Sequence, residues 1–117
     1  MRRRAFLLGA PAASLAVLAA CNDDLDQAGN PYPPQCKGDL SDVPADITFM
    51  DPVILQAVNA HPGQGREEGL WIPATPPNRD IIWVDESLRG WKRDDAIRHE
   101  RCHSRMHQLT GNGQWHK

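Results

Sequence analysis

From Asp94 or Asp95 to about Thr110 the chain keeps an unbroken helical repeat, and in so short a protein that helix constrains everything else. Two aspartates at its start suit the positive end of a helix dipole, and Gly111 is a natural stop. At about 100° per residue, three stripes separate along its surface. Arg98, Arg101 and Arg105 form a charged face, which predicts a solvated side. Cys102, Met106 and Leu109 form an apolar face for a core. His99, His103 and His107 make a third stripe beside the apolar one, with Glu100 flanking it; Ile97 fits less well, between the arginines and Glu100.

The opening, MRRRAFLLGAPAASLAVLAAC, limits how much chain remains to fold. Three arginines precede a short apolar run, too short to span a bilayer comfortably, since a spanning helix needs about 20 apolar residues. A basic start, an apolar middle and small residues at the end predict an export signal over residues 1–20. Leu18-Ala19-Ala20-Cys21 resembles the bacterial lipobox, which implies lipidation of Cys21 and a membrane anchor there. Arg3-Arg4-Ala5-Phe6-Leu7 is similar to a twin-arginine motif, although Arg2 stands where Ser or Thr is usual, so the export route stays open. Without residues 1–20 the 117-residue chain is 97 residues long, and loss of the three arginines takes its formal net charge from −2 to −5. A mildly acidic chain argues against a nucleic-acid partner.

Residues 21–46 are acidic, rich in Pro and Gly and poor in large apolar side chains, which predicts a flexible, disordered tether behind the lipidated Cys21. The folded unit expected is 47–117, small enough to need a metal or disulfide as a staple. Asp51-Pro52 reads as a cap and first turn, with a short helix at about 52–60. Leu70-Trp71-Ile72 is a short strand candidate, and Ile81-Ile82-Trp83-Val84 gives the strongest strand pattern. The expected fold is α+β, a short sheet and the long helix.

His99-Glu100-Arg101-Cys102-His103 is an H-E-x-x-H sequence. Residues i and i+4 stack on one helix face, so both imidazoles can reach one Zn²⁺. The intervening glutamate is held off the metal and is placed to take a proton from activated water. On these residues the chain resembles the zincin metallopeptidases. That resemblance implies a small zincin-like domain, hydrolysis of a peptide or protein substrate, His99 and His103 as zinc ligands and Glu100 as general base. It also suggests that the strand at 81–84 is an edge strand holding substrate. The third ligand is open between His116 and His107. A metal between His99 and His103 lies about 9 Å from the Cα of His107, a hard reach on the same helix. His116 can return past Gly111-Asn112-Gly113, with Trp115 packing on the helix. His107 then stands behind the ligands or faces substrate.

Two cysteines remain after Cys21. Outside the cytoplasm Cys36 and Cys102 are candidates for a disulfide; the alternative for Cys102 is a free buried thiol. Trp71, Trp83 and Trp91 are expected in the core or in cleft walls, and His61 in a solvated loop. The competing functional reading is a non-catalytic envelope lipoprotein with a structural metal, acting through protein contacts. Substrate, destination membrane and biological process are not encoded in any recognisable motif.

Overall fold

The computed structural model describes residues 24–58 and 67–116. The expected export segment, Cys21 and His61 lie outside the described residues. Among the described residues the chain is a small α+β unit: strand β1 (Ala45–Met50), helix α1 (Pro52–Val58), strands β2 (Gly69–Ile72) and β3 (Asp80–Asp85), and helix α2 (Gly90–Thr110). No helix among them is long and apolar enough to cross a membrane.

The sheet has the order β1-β3-β2, with β1 parallel and β2 antiparallel to β3. β3 is thus the central strand, not the edge strand that the resemblance suggested. The reason lies in its residues: Ile82 and Val84 are fully buried, and such β-branched residues suit a strand paired on both sides. The edge strands are β1 and β2. β1 was not foreseen, because the run after Ile47 was read for its helical part alone. Its Ile47 aligns with Ile82, and Trp71 of β2 aligns with the same residue from the other side. Those three side chains belong to one core. α1 starts as expected, with Asp51 Oδ1 accepting the Val53 N–H at 2.8 Å.

α2 begins several residues before Asp94. Its N-cap is Arg89, which makes no side-chain capping bond, and it ends at Gly111 in the left-handed region at φ 79°. The two aspartates therefore sit one turn inside the helix, and Asp95 does other work. Its Oδ1 accepts the Tyr32 hydroxyl at 2.9 Å, and its Oδ2 accepts the Gln27 N–H at 3.0 Å.

Those partners belong to the segment expected to be a tether. Over its described part, residues 24–46, it is an ordered arm laid across α2. Tyr32, Cys36, Leu40 and Val43 from this arm are all buried in the core. Composition hid this, because a few well-spaced apolar residues suffice when a helix face is waiting for them. The arginine stripe is that face. The Arg98 guanidinium sits 3.9 Å from the Tyr32 ring centroid, and Arg105 pairs with Asp42 at 2.7 Å. The expected solvated face is thus partly covered. Cys36 and Cys102 are joined by a disulfide with their Cα atoms 5.4 Å apart, fixing the arm to the middle of α2. Trp91 is not a wall: it is 68% exposed in the first turn of α2, because the helix starts before the core does.

Candidate metal centre

Three side chains converge at the C-terminal half of α2. His99 and His103 stand one turn apart, and His116 comes back to them along the segment after Gly111. Gly113 makes the return possible: a Cβ there would overlap the Trp71 ring and lie 2.8 Å from the His103 carbonyl oxygen. Trp115 closes the return by stacking on Tyr32 of the arm at 5.0 Å.

The nitrogen geometry is specific. His103 Nε2 lies 3.3 Å from His99 Nε2 and 3.2 Å from His116 Nε2. One ligand atom from each of the three rings falls within 4.8 Å of the others, close enough to bind one metal ion. Zinc–nitrogen bonds of about 2.0–2.1 Å in a tetrahedron put ligand nitrogens about 3.3–3.4 Å apart. The separations of His103 Nε2 from the other two nitrogens agree with that edge.

The opposite ring nitrogens explain why. His99 Nδ1 lies 3.0 Å from Asp26 Oδ2, and His103 Nδ1 lies 2.7 Å from the Gly113 carbonyl oxygen. A carbonyl oxygen or an ionised carboxylate only accepts, so each Nδ1 carries the proton and each Nε2 presents a bare lone pair. Burial pushes both imidazoles down to about 4, so they are neutral at ordinary pH. Lone pairs facing each other across 3.3 Å repel unless a cation lies between them. The donor set therefore fits a metal of the kind imidazole prefers.

Asp26 is the residue that sequence reasoning missed. It sits in a tight loop of the arm and is 7% exposed. Burial alone would raise its carboxyl. The Asn30 side chain, the Asn30 and Ala28 N–H groups and the neighbouring His99 together hold it below the usual carboxylate range. A carboxylate behind a ligating histidine fixes its tautomer and increases its basicity.

Glu100 is almost buried, with Oε2 3.8 Å from His99 Nε2. It packs against Gly69 of β2, where a Cβ would come within 2.8 Å of its Cγ. Burial first, and the negative charge of Glu67 second, push its carboxyl up to about 8. His107 is not in the nitrogen cluster; it tilts against the Trp71 ring at 5.4 Å, one turn farther along the helix. Trp71 also stacks on His103 at 5.6 Å, and its Nε1 donates to Asp80 at 2.9 Å. Asp80 accepts the Ser104 hydroxyl as well, at 2.6 Å, tying β3 to the helix beneath the site.

No protein-family model, no curated protein and no solved structure matches this chain.

Proposed function

We propose that this protein is a zinc-dependent peptidase, held at the bacterial cell envelope by a lipid on Cys21. The observation that carries the reading is the set of three imidazole nitrogens within 4.8 Å of one another, with His103 Nε2 3.3 Å and 3.2 Å from the other two and a buried carboxyl 3.8 Å from one of them. His99, His103 and His116 are the zinc ligands. A zinc ion held there would supply Lewis acidity, to polarise a carbonyl and acidify water. Asp26 and the Gly113 carbonyl orient the two helix histidines. Glu100 is the general base; a cation held by the three histidines would favour its carboxylate over the protonated form that burial favours. It then takes a proton from the attacking water and can pass it to the leaving amine. His107 supports Trp71 and is not a ligand.

The test is Glu100→Gln, which keeps the shape and spares the ligands. Bound zinc should stay near one per chain, while cleavage of a mixed peptide pool should fall by roughly 10²-fold or more. Undiminished cleavage with zinc still bound would sink the hydrolase reading. A second reading, a non-catalytic envelope lipoprotein with a structural metal, draws support from one feature: the ligands and Asp26 come from helix, return and arm, so a metal also staples all three. In that case no peptide is cleaved by the parent protein. The anchoring proposal rests on Leu18-Ala19-Ala20-Cys21. Cys21→Ser should abolish lipid labelling and release the protein from membranes; unchanged membrane fractionation counts against the anchor.

A further inference from the structure

Next to the histidine centre lies a cavity of about 150 Å³, with His99 and Glu100 in its wall. A cavity of that size accommodates a group of about six heavy atoms, as a benzene-sized void does. Its charge is one-sided. Asp26, Glu67, Glu68, Asp95 and Glu100 all line it, and no lysine or arginine does so among the described residues.

These carboxyl groups are not equivalent. Asp26 is engaged by His99 and Asn30, and Asp95 by Tyr32 and Gln27. Glu100 is different: it is 7% exposed, lines the cavity, and has His99 Nε2 at 3.8 Å, beyond hydrogen-bond distance. Glu67 lies close enough for its charge to act on Glu100. The Glu100 carboxyl belongs to the cavity wall, where an arriving hydrogen-bond donor can pair with it. A metal ion is a poor candidate, because among the described residues only the three histidines converge at ligand spacing. The carboxyl groups lining the cavity come from three separate segments of the chain, which suits an organic cation with several N–H donors.

We propose that this cavity is a subsite for a positively charged group of the peptide substrate, an ammonium or guanidinium close to the bond that is cut. The inference rests on the peptidase reading of the histidine centre and adds a substrate class to it. Partial desolvation strengthens the attraction of each carboxylate for such a group, and the same field repels acidic side chains, so selectivity comes from both signs. The cation has two possible carriers, a basic side chain or a free amino terminus.

The experiment measures binding and turnover separately on the full-length, zinc-loaded protein. Calorimetric titration with N-acetyl-lysine amide, N-acetyl-norleucine amide, N-acetyl-glutamate amide and norleucine amide distinguishes the carriers. The first presents a side-chain cation, the last an α-ammonium, and the other two are neutral and anionic controls. At least one cationic probe should bind about tenfold or more tightly than neutral N-acetyl-norleucine amide. The preference should shrink several-fold in Glu67→Gln and weaken with added salt. Peptides with a basic residue or free amine near the cut should show the same ranking in kcat/KM. Equal affinity for the neutral and both cationic probes, or a preference that Glu67→Gln and salt leave untouched, overturns the subsite. Cleavage without charge preference does so too, while leaving the peptidase reading standing. Cation preference without cleavage supports the subsite and counts against the peptidase.

Discussion

His99 and His103 hold their protons on Nδ1 and turn bare nitrogens toward each other, an arrangement that folding alone does not reward. It should mark the pH dependence of the metal-free protein. Unfolded histidine titrates near 6.5, whereas both folded rings do so at about 4. Between those values the unfolded chain binds more protons, so stability rises with pH. Glu100 acts in the other direction: its folded carboxyl sits at about 8 against 4.5 unfolded. Over that range the folded state holds the extra proton, and stability falls as pH rises. Two histidines outweigh one glutamate below 6.5, and above it the glutamate acts alone. Metal-free protein should therefore be most stable near pH 6.5 and lose stability towards pH 8. Glu100→Gln should remove that alkaline loss. Thermal melts across this range check it, and stability still climbing between pH 6.5 and 8 would contradict the assignment.

At the level of elements, the arm of residues 24–46 has the most to explain. It covers the arginine stripe of α2, inserts Tyr32 beside Trp115, and brings Asp26 behind His99. The disulfide closes a separation of 66 residues, a loop whose closure is worth on the order of 4 kcal/mol by chain entropy. The double variant Cys36→Ala/Cys102→Ala should lose stability of about that size by denaturant titration. It should also bind zinc more weakly, because a looser arm holds Asp26 less well. Asp26→Asn isolates that second effect and should weaken zinc by about 10–100-fold with the disulfide intact. Unchanged zinc affinity in Asp26→Asn would show that the carboxylate has no such role. The arm was illegible because its composition is that of a linker. Its clue was Cys36 itself. A bridge to Cys102 is incompatible with a free tether, and Tyr32, Leu40 and Val43 flank it at spacings that can reach one helix. β1 was missed for a related reason: Ala45–Met50 carries Asp46 and Thr48 on its outward side and reads as loop until β3 is placed beside it.

For the whole molecule, what was legible was what repeats or punctuates. The period of α2, the Gly111 stop, the Asp51-Pro52 start and the β-branched run of β3 all announce local structure. The order of strands did not follow from them, because which strand is central depends on pairing across the chain. The histidine cluster was half legible. The i, i+4 pair follows from helix geometry, and the return of His116 from the glycines after Thr110. Asp26 and the Gly113 carbonyl came from folding, since nothing local ties either to its imidazole. The acidic cavity is likewise assembled from the arm, the start of β2 and α2, three segments distant in sequence.

The central claim is that one metal ion is held by His99, His103 and His116, with the fold built to present their Nε2 atoms. Zinc content per chain, measured by elemental mass spectrometry after equilibration in a zinc-buffered solution, tests it most directly. The parent protein and His107→Ala should each retain about one zinc ion, as a single tetrahedral site requires. His99→Ala, His103→Ala and His116→Ala should each retain far less. Loss of zinc from His107→Ala with full retention in His116→Ala would contradict the account and move the third ligand back onto the helix.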